Sequence, residues 1–212
     1  MQKFYNKLLL GLLFLSGITA AKAQNVNVNP GAGTYPTLQT AFAAINAGTH
    51  TGAITIDIIN NTTETGTAVL NASGGTASYT SILIQPSGGG ARTITGALAL
   101  PLVDLNGADN VMIDGLNNSG NSLVISNTST SATSGTSTIR FIGGATGNTV
   151  TNCSLQGSMT MALGTNGGIV YFATDAVTTS GNDNNTISNN NLGPAGATCL
   201  PNVFTEAAAP PH

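Results

Sequence analysis

The chain has 212 residues, of which 41% are hydrophobic, 5% aromatic and only 6% charged. From residue 24 onward, Arg92 and Arg140 are the only cationic side chains and stand against eight acidic residues. Because nucleic-acid binding needs several cations that neutralise phosphates, this balance excludes that class of protein. With His50 and His212 as the only histidines, the chain also has little material for a histidine-rich metal site or a Ser/His/Asp triad.

Residues 1–23 have the pattern of a signal peptide. Lys3 and Lys7 supply a positive start, residues 8–18 an apolar run, and residues 21–23, Ala-Lys-Ala, a small-x-small cleavage site. We therefore expect the mature chain to be secreted or held at the outer cell surface. No segment approaches the roughly 20 apolar residues that a spanning helix needs, so no membrane span is expected.

Residues 24–52 are predicted to form an N-terminal segment that contains a short helix. The stretch "YPTLQTAFAAINAG" places Leu38, Phe42 and Ile45 on one helical face, and Thr37 can cap the start. A short helix with a single apolar face can cover an exposed sheet edge. We therefore predict a capping helix.

Residues 53–193 are predicted to form short strands, with runs of β-branched and aliphatic residues between turn-forming residues. No helical pattern intervenes, which excludes a βαβ sheet and leaves a sandwich or a solenoid. The predicted strands are 54–59, 67–71, 81–85, 92–95, 102–105, 110–114, 123–126, 138–142, 148–152, 158–163, 169–172 and 185–189.

An internal repeat separates these two architectures. The stretch "DNVMIDGL" at 109–116 is echoed by "GNTVTNCSL" at 147–155 and by "NNTISNNNL" at 184–192. About three predicted strands fit into each period. A Greek-key sandwich, the usual architecture for many short strands, explains neither the repeated corner nor the single leading helix.

Asn110, Asn148 and Asn185 are interpreted as one structural corner of successive coils. Asparagine tolerates the left-handed turn conformation, and its amide can bond to the copies above and below. The predicted fold is therefore all-β: a right-handed parallel β-helix, a solenoid of about four coils of three strands, with a short N-terminal capping helix.

The acidic residues offer a candidate metal site. Asp109 and Asp114, with Asn110 and turn carbonyls, are oxygen ligands of the type that calcium prefers. No Gly-Gly-x-Gly-x-Asp repeat accompanies them, and no other cofactor is expected. The repeat does not stack Asp104, Asp109 and Asp114 into a row, so no catalytic residue is predicted.

Five other polar residues are given structural interpretations. Arg92 and Arg140 lie on different coils, and each is interpreted as a solvated residue or as a partner for a neighbouring aspartate. Cys153 and Cys199 could pair in an oxidising compartment, or Cys153 could be a small buried residue. Glu64 lies in a predicted loop and is expected to be solvated.

The stretches "GTYPTLQTAFAAINAG", "NGADNVMIDGLNNSGNSLVISNTST" and "STIRFIGGATGNTVTNCSLQGS" resemble right-handed β-helix proteins of the pectate-lyase-like superfold. They are most similar to long, repetitive exported proteins of Bacteroidetes-type bacteria, many of which end in a sorting domain for type IX secretion. The resemblance covers residues 24–195 and implies the architecture. It does not imply an activity, since the same solenoid hosts lyases, hydrolases, esterases and adhesins.

The expected function is that of an exported, non-enzymatic β-helix, the N-terminal part of a cell-surface or adhesin-like protein that presents polar faces to glycans or other cell-surface components. The alternative is a fragment of a polysaccharide-active lyase or hydrolase whose catalytic coils are missing. Residues 194–212 lose the strand pattern, which we interpret as an irregular, truncated tail. The coil end that such a truncation leaves uncapped would expose strand edges through which copies of the chain could self-associate.

Overall fold

The computed structural model describes residues 23–31, 35–160, 162, 165–175 and 180–196, and the backbone of 204–206. The predicted signal peptide, apart from its last residue, lies outside these ranges. So do Cys199 and most of the predicted tail.

The described residues form helix α1 (Leu38–Asn46) and a series of short strands. The strands are β1 (Gln24–Val28), β2 (Thr51–Ile58), β3 (Thr62–Thr63), β4 (Ala68–Asn71), β5 (Ser78–Pro86), β6 (Ala91–Gly96), β7 (Pro101–Asn106), β8 (Val111–Asp114), β9 (Ser122–Asn127), β10 (Ser137–Ile142), β11 (Thr149–Thr151), β12 (Cys153–Gly157), β13 (Gly168–Phe172), β14 (Thr186–Ser188), β15 (Asn191–Pro194) and β16 (Phe204–Glu206).

These strands build three parallel sheets. Sheet A has the order β1-β2-β5-β8-β11-β14, sheet B the order β3-β6-β9-β12-β15, and sheet C the order β4-β7-β10-β13-β16. From β2 onward the chain visits A, B and C in turn and then returns to A beside its previous passage. The result is a parallel β-solenoid of about five turns with one short helix, which confirms the predicted β-helix.

The interior is filled by aliphatic side chains that stack from one turn to the next. Each sheet contributes inward columns, because alternate residues of a strand point to the same face and the strands pair in register. Most members are buried, and each full burial of such a side chain contributes about 1.5–3 kcal/mol. The central columns are Ile56, Ile84, Ile113 and Val150 in sheet A; Ile94, Ile125 and Leu155 in sheet B; and Ala68, Val103, Ile139 and Val170 in sheet C.

Helix α1 covers the first strand of sheet C. It buries Leu38, Phe42 and Ile45, as its single apolar face predicts, and lies against β4. Its last residue, Asn46, donates from Nδ2 to the Val69 carbonyl (2.8 Å) and accepts at Oδ1 from the Asn71 amide (3.0 Å). The asparagine amide thus satisfies backbone groups of β4 that the next strand of a sheet would otherwise pair.

Glu64 ties the start of the helix to the start of sheet B. Its carboxylate accepts from the backbone amides of Leu38 (3.0 Å) and Gln39 (2.8 Å) and from the Thr62 hydroxyl (2.9 Å). Glu64 is only 1% exposed, so the expectation of a solvated loop residue was wrong. The carboxylate satisfies amides at the helix N-terminus, where negative charge is favoured.

The strand boundaries differ from the predicted ones at several places. A strand was predicted at 158–163, but the structure has β12 at Cys153–Gly157 and no strand at 158–160. Asn152, with φ of 57°, makes a one-residue corner between β11 and β12, so two strands follow each other almost without a gap. The two-residue β3 is too short to leave a pattern, and β16 lies in the segment expected to be irregular.

We predict that Glu64→Ala lowers the free energy of unfolding by about 1–3 kcal/mol, because it leaves a buried amide, a partly buried amide and a buried hydroxyl without an acceptor. Glu64→Gln, which keeps one side-chain oxygen, should lie between the variant and the parent. Urea unfolding followed by circular dichroism measures both, with the exposed Thr65→Ala as a matched control. Equal stability of Glu64→Ala and Thr65→Ala would contradict this assignment.

Candidate functional site

Two of the three asparagines predicted to share a corner form a hydrogen-bonded ladder before the strands of sheet A. Asn148 donates from Nδ2 to Asn185 Oδ1 (2.9 Å) and to the Ala108 carbonyl (2.8 Å), and its Oδ1 accepts from the Val111 amide (2.9 Å). Asn148 is 1% exposed. One buried side chain therefore links three successive turns, each 37 residues from the next.

Asn110 belongs to the neighbouring column. Met112 pairs with Thr149, and Thr149 pairs with Thr186, which places Asn110 beside Gly147 and Asn184. These three residues have φ values of 57°, 69° and 55°. The predicted alignment was therefore one residue off at Asn110, because it matched asparagines, whereas the shared left-handed turn position is held by glycine in the second copy.

A second corner, between sheets A and B, went unrecognised in the sequence. Asn152 and Asn189 both adopt the left-handed conformation there, with φ of 57° and 56°. The corresponding residue of the preceding turn is Gly115, where a Cβ atom would lie 2.1 Å from the Asn152 carbonyl oxygen. A polar residue follows the aliphatic core in the repeat, and this pattern could have revealed the corner.

The candidate calcium ligands Asp109 and Asp114 lie at opposite ends of β8. This strand has four residues, about 13 Å at 3.3 Å per residue, so the fold does not bring the two carboxylates together. Asp109 Oδ1 accepts from the Thr146 amide (2.7 Å), and Asp114 Oδ1 accepts from the Leu116 amide (2.8 Å) and from Asn152 (2.9 Å). No group of three or more His, Cys, Asp or Glu side chains that could hold a metal ion occurs among the described residues. Calcium binding by Asp109 and Asp114 stays a prediction that the geometry of β8 does not favour.

Sheet C carries a row of Asp104, Arg140 and Tyr171 on its outer side, one from each of three adjacent strands. Arg140 donates to both oxygens of Asp104, from Nε at 2.9 Å and from a terminal nitrogen at 2.7 Å. This hydrogen bonding raises the pKa of Arg140 above its ordinary value. The prediction that Arg140 partners a neighbouring aspartate fits this pair, and both oxygens of Asp104 are engaged.

Tyr171 extends this row without offering an exposed ring. It is 6% exposed, and burial raises its pKa. The next residue, Phe172, points inward and stacks on Phe141, with ring centroids 4.8 Å apart and an interplanar angle of 10°. The row on sheet C is therefore closely packed.

The outer side of sheet A instead carries a shallow groove of about 380 Å³. Its central row consists of Thr55, Leu83, Met112 and Thr149, one from each of four adjacent strands. Met112 is 42% exposed. The groove was not predicted, because outward residues of different turns become neighbours only once the register of the turns is known. Its other lining residues are Ala53, Ile54, Ser81, Ile82, Asn110, Val111 and Gly147.

Cys153 is a free, buried thiol inside the solenoid. Burial raises its pKa to about 12, with a smaller contribution from the nearby Asp114 charge. This fits the buried alternative for Cys153. Cys199 lies outside the described residues.

No protein-family model matches the chain, and no significant match was found among curated proteins or solved structures. Of the resemblance drawn from the sequence, the structure bears out the parallel β-solenoid. Helix α1 is too short to cross a membrane, and the described residues contain no helix that is long and apolar enough to do so.

We predict that Asn148→Ala lowers the free energy of unfolding by about 1–3 kcal/mol, since it orphans the buried Val111 amide and the Ala108 carbonyl. Asn148→Asp keeps the acceptor for Val111 and loses the donor, and should also destabilise the fold. Thermal unfolding would measure the effect against the exposed Asn118→Ala. Loss of less than half a kcal/mol in both Asn148 variants would contradict the role of the ladder.

We predict that Cys153 does not react with thiol reagents at pH 8 in the native protein. The thiolate is the reactive form, and a pKa of about 12 leaves almost none of it. The pKa of Cys153 is higher in the folded protein than in the unfolded chain. Its contribution to the free energy of unfolding is therefore fully present below pH about 8.5 and is lost as the pH rises toward 12. Colorimetric thiol titration of Cys199→Ala with and without denaturant is the measurement, because this variant keeps Cys153 as its only thiol. Fast labelling of this variant without denaturant would contradict the burial.

Proposed function

We propose that the chain is an exported, non-enzymatic β-helix that forms part of a cell-surface or adhesin-like protein and contacts glycans or other cell-surface components. The observation that carries this proposal is the groove on sheet A. There, side chains from adjacent turns stand about 4.8 Å apart and combine aliphatic, hydroxyl and amide groups on one open face. Glycan recognition uses the same combination of an apolar surface and precisely placed polar groups.

The arrangement of the acidic residues favours binding over catalysis. Glycoside hydrolysis needs two carboxyl groups about 5–9.5 Å apart, one of them able to give or take a proton. Asp104 is held by Arg140 through both oxygens, and Asp109 and Asp114 lie at opposite ends of β8. The alternative, a fragment of a polysaccharide lyase or hydrolase, therefore finds less support in these residues.

Export and localisation rest on the sequence. The signal-peptide pattern of residues 1–23 supports secretion or display at the outer cell surface. The resemblance to repetitive exported proteins of Bacteroidetes type, with type IX secretion as the associated route, rests on the stretches quoted above. Self-association of the chain is a further proposal, and size-exclusion chromatography over a range of concentrations tests it.

A glycan array probed with the purified protein tests the function, alongside assays for reducing sugars and unsaturated products. Binding without turnover is the expected result. Comparing binding in calcium with binding in EDTA shows whether an ion is required. Asp104→Ala should leave binding unchanged, because that residue lies on sheet C. Robust turnover that is lost in Asp104→Ala or Asp114→Ala would reject the non-enzymatic proposal.

A further inference from the structure

We propose that the groove on sheet A holds a neutral polysaccharide segment, which lies across the strands and parallel to the solenoid axis. The rings would rest their C–H faces on Leu83 and Met112. This inference rests on the proposed glycan-binding function and names its site and its ligand class.

The floor of the groove is aliphatic and accessible. Leu83 and Met112 are partners in adjacent strands, and Met112 is one of the two large hydrophobic residues that are well exposed in the described structure. A pyranose ring presents an apolar C–H face and a rim of hydroxyls, so it can cover such a floor and keep its polar groups at the edges. The unbranched methionine side chain adapts its shape to an irregular surface.

The polar groups around this floor are available to a ligand. The side chains of Thr55, Ser81, Asn110 and Thr149 line the groove, and within the described residues they make no hydrogen bond. Hydroxyl and amide groups both donate and accept, as sugar hydroxyls do.

The next outward row of sheet A shows the contrast. Gln85 donates to Asp57 (3.0 Å), Asn152 donates to Asp114 (2.9 Å), and the Ser188 and Thr151 hydroxyls are joined at 3.2 Å. The polar side chains of that row therefore have hydrogen-bond partners within the protein. The polar side chains of the groove have no such partners within the described residues, so their donors and acceptors are free to bind a ligand.

Charge selects the class of polysaccharide. No charged residue lines the groove, and the acidic residues of the adjoining row are already hydrogen-bonded. The two arginines lie on other sheets, Arg92 in β6 of sheet B and Arg140 in β10 of sheet C. An anionic polymer would therefore meet no counter-charge and would approach an acidic chain. A neutral chain meets neither cost.

The row also sets direction and reach. Thr55, Leu83, Met112 and Thr149 follow one another across four strands, a span of about 14 Å at 4.8 Å per step. A ligand that follows them runs along the solenoid axis. Affinity should rise with oligosaccharide length and level off once the ligand spans the four strands.

Isothermal titration of the purified protein with glucan, mannan and xylan oligosaccharides of increasing length tests the proposal, with oligogalacturonate as the anionic comparison. Met112→Ser and Leu83→Ser should each weaken binding of the neutral ligand by about tenfold or more, since each removes half of the apolar floor. Met112→Leu should restore it. Leu100→Ser, at the other exposed large hydrophobic residue, is the matched control and should bind like the parent. Thr149→Val, nearly isosteric, should weaken binding several-fold, and circular dichroism establishes that each variant is folded.

The outcomes separate the two proposals. If the parent binds glycans but folded Met112→Ser and Leu83→Ser bind as tightly, or if oligogalacturonate binds more tightly than every neutral ligand, this site and its ligand class are overturned while glycan binding stands. If the parent binds no glycan on the array or in titration, the proposed function itself fails.

Discussion

In-register parallel pairing of successive turns is the constraint on which the rest of this molecule depends. Ile56, Ile84, Ile113 and Val150 form one inward column only because each strand of sheet A pairs with the previous turn at the correct residue. A slip by one residue would turn every aliphatic side chain of a strand to the outer face. Burial of the interior and the pattern of the outer faces are therefore two results of one pairing.

The corners hold that register. Positions with positive φ recur at the entry to sheet A, where Asn110, Gly147 and Asn184 align, and again before sheet B at Asn152 and Asn189. Asparagine and glycine adopt this conformation at the least cost. Asn148 then fastens the entry corner to the turns on either side through buried hydrogen bonds. At the first turn, where sheets B and C have no preceding strand, Asn46 supplies hydrogen-bond partners to the backbone of β4. Glu64 connects the start of helix α1 to the Thr62 side chain of β3.

The same register decides which polar side chains hydrogen-bond within the protein and which face solvent without a partner. On sheet C it places Arg140 directly over Asp104, and the two side chains neutralise each other's charge. On sheet A it pairs Gln85 with Asp57 in one row, whereas the adjacent row places Leu83 and Met112 side by side between two threonines. These groove side chains, uncharged and without hydrogen-bond partners among the described residues, are the basis on which we propose a neutral, hydroxyl-rich ligand.

The sequence by itself determined the class of fold, the leading helix and the presence of repeated asparagine corners. Periodicity, β-branched runs and turn residues are local properties, and they can be recognised in the sequence without a structure. The register could not be predicted from the sequence, because the turns differ in length. In sheet A alone, aligned residues of adjacent turns are 28 residues apart for Asp57 and Gln85 but 37 residues apart for Asn148 and Asn185. Only the tertiary structure could decide that Asn110 stacks on Gly147, that Glu64 is buried under the helix, and that Leu83 and Met112 share a groove. These contacts join residues far apart in the chain, and their geometry is set by backbone pairing across turns of unequal length.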